Sequence, residues 1–192
     1  MEETGDDLTE PALSAESVKE PLDAFNMYLS TCKDGNCAWW FDLGAVDKKK
    51  IKDELKPEES LRAFVWYSHY IMYDKDAQEK GMVIVENCAK MGFFEMFTLM
   101  PMKLATKLDR LTIGVLPVKL VKIYVLETPG WMKAFLKFMG MFISKKLMKR
   151  IVYLEEWDEV EKNVGKECIP KNFGKLEGYL EVDKVKKDFF SN

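Results

Sequence analysis

A single stretch, Trp131 to Ser144 (WMKAFLKFMGMFIS), constrains this chain more than any other. On a helical wheel it carries two apolar stripes: Met132, Leu136, Met139 and Ile143 form one, and Trp131, Phe135, Phe138 and Phe142 form the next. Only Lys133, Lys137, Gly140 and Ser144 make a polar stripe. A surface helix needs one apolar face about 100° wide, and this one has roughly twice that. It is either wedged between two core layers or covers a cavity with one stripe while the other meets lipid or the rest of the protein. The two central lysines must reach water, which favours the cover. Thr128 is expected to cap this helix, with Pro129 in its first position.

Dense positive charge surrounds it. Between Lys119 and Arg150 stand eight Lys or Arg and one acid, Glu127, in a chain of net charge −3. Directly after the helix, Ser144 is placed to cap SKKLMKRI. Lys146 and Arg150, four apart, share a face, and Lys145 and Lys149 share the neighbouring one. Each basic side chain near an anionic leaflet contributes ~1 kcal/mol, so three or four give reversible docking. The same run also suits a merely solvated helix; its place beside an apolar cover favours the membrane.

The remaining composition narrows the function. With 29 basic and 32 acidic residues, the chain does not carry the charge of a general nucleic-acid binder. The acidic start, MEETGDDLTE, has no apolar core of a secretory signal. No apolar run reaches the ~20 residues of a membrane-spanning helix. Cys32, Cys37, Cys88 and Cys168 form no CxxC pair and accompany a single histidine, so no metal site is expected. Cys32 and Cys37 flank a KDGN turn, where a reduced pair suits a cytosolic protein. His69 lies in a helical stretch beside Trp66, Tyr67 and Tyr70 and reads as packed or superficial. No GxSxG, phosphate loop or dinucleotide fingerprint occurs. Neither an enzyme nor a cofactor is expected.

Organisation follows from periodicity. Residues 1–13 are expected to be a disordered acidic tail, 14–180 one domain, and 181–192 a C-terminal tail. Helices are expected over Ser14–Ser30, Val46–Lys56, Glu58–Tyr73, Phe93–Leu99, Met102–Val115, Trp131–Ser144 and Trp157–Val164. Ser68 interrupts the apolar face of the third of these. Strands are expected at Cys37–Leu43, in the apolar run MVIVEN after Gly81, at Lys122–Leu126 and at Arg150–Leu154. Alternation of strands and helices predicts an α/β layer with a mostly parallel sheet.

Four pieces in order give the chain a family likeness: GMVIVEN (Gly81 to Asn87), LPVKLVKIYVLETP (Leu116 to Pro129), MFISKKLMKRI and IPKNFG (Ile169 to Gly174). From about Cys37 to Gly174 the sequence resembles the CRAL-TRIO lipid-binding domain, the family of alpha-tocopherol transfer protein and cellular retinaldehyde-binding protein. The resemblance implies a five-stranded floor under helices, with a gate helix over a hydrophobic pocket. It also implies transfer or presentation of one tocopherol-, retinoid- or phospholipid-like molecule, and contact with phosphoinositide membranes. In the tocopherol-transfer branch a few basic residues hold the headgroup. Lys119, Lys146 and Arg150 match three of those positions, the fourth is Val121 here, and Lys122 is adjacent. The family's preceding three-helix bundle is expected to be absent or cut to one helix. Lys175 stands where the second closing glycine would be, and Gly140-Met141 where many members carry Lys-Pro.

The expected pocket is lined by Leu108, Leu111, Leu116, Ile123, Val125, Met132, Phe135, Met139 and Ile143. Burying roughly ten methylenes there is worth ~8 kcal/mol before association costs. The expected membrane contacts are Lys119, Lys122, Lys145, Lys146, Lys149 and Arg150. The expected protein is cytoplasmic and transiently peripheral on membranes. The other reading is an interaction module of the same fold that binds a protein partner or phosphoinositide.

Overall fold

The structure is a computed structural model that describes residues 14–180 except 100, 102, 104–105, 108–116 and 140–144. Both expected tails, and most of the helix expected over Met102–Val115, lie outside the described residues.

The chain opens with α1, Ala15–Phe25. Its start is a reciprocal cap: the Ser17 amide donates to the Ser14 hydroxyl at 3.2 Å, and the Ser14 amide to that of Ser17 at 2.9 Å. Asn26 then adopts a left-handed conformation, φ 52°, and its N–H caps the carbonyls of Leu22 and Asp23. The helix therefore stops five residues short of Ser30, and Met27–Thr31 is a strand, β1. This corrects the expected helix. Helical spacing continues through MYLS, but a left-handed Asn ends the ladder, and strand alternation fits the same residues.

A hairpin turn, with the Gly35 amide on the Cys32 carbonyl at 2.8 Å, leads to β2, Cys37–Asp42. Then come α2 (Lys48–Asp53), α3 (Pro57–Tyr73), α4 (Lys75–Lys80) and β3 (Met82–Asn87). The short α4 was not expected. Asp74 caps it by accepting from the Ala77 amide at 2.7 Å, and Gly81 ends it. Next are α5 (Phe93–Leu99), β4 (Leu120–Leu126), α6 (Gly130–Met139), α7 (Lys145–Met148), β5 (Ile151–Tyr153) and α8 (Asp158–Val164). A 3-10 turn over Lys166–Cys168 closes the order.

The five strands form one sheet in sequence order. β1 runs antiparallel to β2, and β2 to β5 are parallel. This is the expected mostly parallel α/β sheet. Three successive right-handed crossovers that advance in one direction must all lie on the same face. That face carries Phe25, Ile51, Phe64, Leu99 and Met132 from α1, α2, α3, α5 and α6 in one apolar cluster with Met82 and Val125. The opposite face is covered separately by Val160, Val164, Ile169, Phe173 and Leu176, which seal Ala38, Trp40, Val83 and Val85. Cys32 and Cys37 end on opposite faces of the sheet, and all four cysteines are buried free thiols. Ser68, the polar interruption on α3, is buried and donates to the Phe64 carbonyl at 2.8 Å.

Two glycines set how tightly the pieces close. Gly81 has φ +88°, and a Cβ there would lie 2.4 Å from the Lys119 carbonyl oxygen between β3 and β4. Gly174, at φ +57°, would place a Cβ 1.9 Å from the Trp157 ring. Its N–H donates to Asp42 Oδ2 at 3.0 Å. We expect Gly81→Ala and Gly174→Ala each to lower unfolding free energy by about 2–4 kcal/mol, since each adds a clash to a disfavoured φ. Urea titration measures this, and an exposed control, Gly130→Ala, should leave the midpoint nearly unchanged because nothing lies within 4 Å of that Cβ.

Candidate functional site

The crossover face of the sheet presents two transverse rows of side chains. Strand register aligns Trp39, Ile84, Ile123 and Ile151 in the first and Phe41, Glu86, Val125 and Tyr153 in the second. β2, β3 and β4 are interior strands, so both their faces should be fully covered. On the far face of β2 and β3 they are: Ala38, Trp40 and Val85 are each 0% exposed, while on β4 Leu126 is buried and Val121 and Tyr124 stay half-buried. On the crossover face Trp39, Phe41, Ile84, Glu86 and Ile123 all stay half-open, and only Val125 is buried among the central positions.

α6 crosses above the second row. Met132 is buried against the sheet cluster, the Lys133 ammonium lies 5.5 Å from the centre of the Tyr153 ring, and the Trp131 indole donates to the Met91 carbonyl at 3.2 Å. The helix begins after Pro129, whose carbonyl accepts from the Met132 amide at 2.9 Å. Thr128 does not cap it; its hydroxyl is buried without a hydrogen-bond partner, because Glu127 turns the chain at φ +49° just before. The second stripe of this helix meets protein. Trp131 and Phe135 pack edge-on against Phe93 of α5 at 5.3 and 6.2 Å, and Phe135 meets Phe97 at 5.5 Å. Phe94, beside them, is 81% exposed.

Of the expected lining residues, Ile123, Val125, Met132 and Phe135 lie on the crossover side. Leu108, Leu111, Leu116 and Ile143 lie outside the described residues, as does the side chain of Met139. The sequence reading missed Trp39, Phe41, Ile84, Glu86, Ile151 and Tyr153. Period-two alternation in MVIVEN already pairs Ile84 with Glu86 on one face, a signal hidden by reading the run as uniformly apolar.

Glu86 is the unusual member. Its side chain is half-buried on the crossover face. It makes no hydrogen bond or ion pair among the described residues. Burial pushes its carboxyl from an ordinary 4.5 up to about 7.

The basic residues form a different corner. The Met82 amide donates to the Lys119 carbonyl at 2.8 Å and the Ile123 amide to that of Arg150 at 2.9 Å, so the starts of β4 and β5 are neighbours. Lys119, Lys122, Lys145, Lys146 and Lys149 are exposed and Arg150 is half-buried. None of the six forms an ion pair among the described residues. The expected cap at Ser144 lies outside them. At the other end of the sheet Lys175 pairs with Glu127, which also accepts from the Trp157 indole at 2.7 Å. Lys175 first and Trp157 second hold the Glu127 carboxyl below its usual range.

Among the described residues no group of three His, Cys, Asp or Glu is placed to hold a metal, and no helix is long and apolar enough to cross a membrane. His69 is exposed on α3.

A sheet floor, crossover helices on one face and a closing loop at Gly174 match a known profile: the CRAL/TRIO domain aligns with residues 25–174. The chain belongs to the CRAL-TRIO family. Its members are lipid-binding proteins, and the fold agrees with the crystal structure of Sfh5 at TM-score 0.58 and 12% identity, over 94% of this chain and 63% of that one. Tyrosine-protein phosphatase non-receptor type 9 from rat and from human is 24% identical over 134 residues, 66% of this chain. This CRAL-TRIO chain thus spans 21% of the length of those curated relatives.

Glu86 generates a stability prediction. A carboxyl raised in the folded state costs nothing below about pH 4.5, where both states hold the proton. The penalty grows as pH rises toward 7, where the unfolded chain ionises and the folded one resists, and then stays constant. Glu86→Gln is therefore expected to match the parent near pH 4 and to exceed it near pH 8 by up to on the order of 3 kcal/mol. Denaturant melts at the two pH values measure the difference.

Proposed function

We propose that the protein binds one hydrophobic, lipid-like molecule between the crossover face of the sheet and α6, and transfers or presents it. The observation that carries this reading is the asymmetry of the two faces. In β2 and β3, one sealed and one half-open apolar face are what a resident guest requires. Membership of a lipid-binding family agrees with it. The lining residues are Trp39, Phe41, Ile84, Ile123, Val125, Met132 and Phe135, with Leu108, Leu111, Leu116, Met139 and Ile143 as further contributors from the sequence.

The protein works in the cytoplasm and visits membranes. Lys119, Lys122, Lys145, Lys146, Lys149 and Arg150 dock it on anionic, phosphoinositide-bearing leaflets, each unpaired charge adding ~1 kcal/mol near the surface. α6 serves as the gate, releasing the guest when the corner is engaged.

A second reading has one observation of its own. The likeness to a segment of a tyrosine phosphatase supports a module that recruits a protein partner or phosphoinositide without transferring cargo.

Two measurements separate these. Purified protein, extracted and examined by mass spectrometry, should yield an equimolar apolar compound, or acquire one from vesicles; none under either condition leaves the recruiting module. The Lys146→Glu, Arg150→Glu double variant should lose at least about tenfold in co-sedimentation with vesicles containing phosphatidylserine and phosphoinositide, with less loss at high salt. Unchanged sedimentation removes the docking corner from both readings.

A further inference from the structure

We propose that Cys32 and Cys168 are a modification site: hydrogen peroxide joins them in a reversible disulfide that ties the β1–β2 hairpin to the 3-10 turn on the far face of the sheet. Of the four buried thiols, only these two lie in the far-face cluster; Cys37 and Cys88 lie in the crossover cluster. One oxygen shows how closely their segments approach. The Val164 carbonyl accepts from the Lys33 amide, the backbone group directly after Cys32, at 2.8 Å. It also accepts from the Cys168 thiol at 3.2 Å. Gly165 is pressed against the same hairpin, where a Cβ would stand 3.0 Å from that of Lys33. Across this junction the Cys32 thiol hydrogen-bonds to the Cys168 sulfur.

Neither residue sits inside a regular ladder. Cys32 follows the last residue of β1, and Cys168 ends the 3-10 turn. A disulfide demands a short S–S bond and a fixed torsion. Backbone at two element ends can make the small adjustment that brings hydrogen-bonded thiols to that geometry. Cys32 and Cys168 are 6% and 3% exposed, yet Lys33 and Glu167 beside them are exposed, so a molecule as small as peroxide has one layer to cross.

The two sulfurs are chemically unequal. The hydrogen bond from Cys32, foremost, and one from the Ser30 hydroxyl hold the Cys168 thiol below its usual range, against burial. Ser30 is itself positioned by the Trp40 indole, which donates to it at 2.6 Å. Cys32 is pushed far up, by the same bond to Cys168 first and by burial second. Cys168 is therefore the nucleophile and Cys32 the resolving thiol. The Cys168 thiolate attacks one peroxide oxygen: an S–O bond forms, the O–O bond breaks, and the leaving hydroxide takes the thiol's proton to become water. Cys32 sulfur then attacks the sulfenic sulfur: S–S forms, S–O breaks, and the oxygen departs as water with the Cys32 proton. The two thiols together lose two electrons, and one peroxide becomes two waters. In a reducing compartment such a bond is transient.

The test treats the folded full chain with excess hydrogen peroxide at neutral pH, quenches, unfolds it in N-ethylmaleimide and maps the thiols by mass spectrometry. The treated parent is expected to be lighter by two hydrogens before labelling, to carry maleimide only on Cys37 and Cys88, and to yield a Cys32–Cys168 crosslinked peptide that dithiothreitol removes. Its thermal midpoint should rise by about 5–10 °C over the reduced form. Cys32→Ser should leave a sulfenic acid on Cys168 that dimedone traps, and Cys168→Ser should leave none on Cys32. Maleimide on all four cysteines after peroxide, or a crosslink through Cys37 or Cys88, overturns the pair. A Cys32–Cys168 crosslink that lowers the midpoint overturns it as a bond of the native fold. Dimedone on Cys32 rather than Cys168 overturns the assignment of roles. The parent's readouts stand even where a serine variant fails to fold.

Discussion

The handedness of parallel crossovers governs this molecule. Strands laid down in sequence order, each joined to the next by a right-handed excursion, cannot share their helices between two faces. All of the crossover helices crowd onto one side, and the other side is left to whatever follows the last strand. Here α8, the 3-10 turn and the Gly174 loop fill that role. The two faces thus have different histories. One is covered by compact local packing, and the other is roofed by longer excursions.

That division explains why the open surface lies where it does. α6 contacts the floor through Met132 at one end and leans on α5 through Trp131 and Phe135. Contacts of aromatic edges and a single indole hydrogen bond hold a helix in place, yet they can be exchanged for similar ones at modest cost. The two-stripe pattern of α6 reflects its two neighbours, floor and α5, and the lysines between the stripes emerge to solvent as their charge demands.

Much of this was legible in the residues. MVIVEN announced an interior strand, Pro57 and Gly81 fixed boundaries, and the basic run was set beside the helix with two apolar stripes. The boundary at Asn26 was not, because nothing in AFNMYLS distinguishes a helix that continues from one that a left-handed cap cuts short. The floor rows escaped for a different reason: register between strands is a tertiary fact, and only register aligns Glu86 with Phe41 and Val125. Thr128 was misread as a cap because its type fits, whereas the left-handed Glu127 turns the hydroxyl inward. Lys175 looked like a lost glycine and is accounted for by its pairing with Glu127.

Asp42 gathers three distant stretches of chain: its carboxylate accepts from Gly44 and Asn87 through one oxygen and from Gly174 through the other. During synthesis from the N-terminus, that second oxygen waits for a residue 132 positions downstream. The roofed side can assemble while the ribosome is still at work, but the underside cannot shut until the last of these stretches has emerged. A nascent chain of this kind carries its crossover face before its base is locked, so a chaperone would meet the roof first.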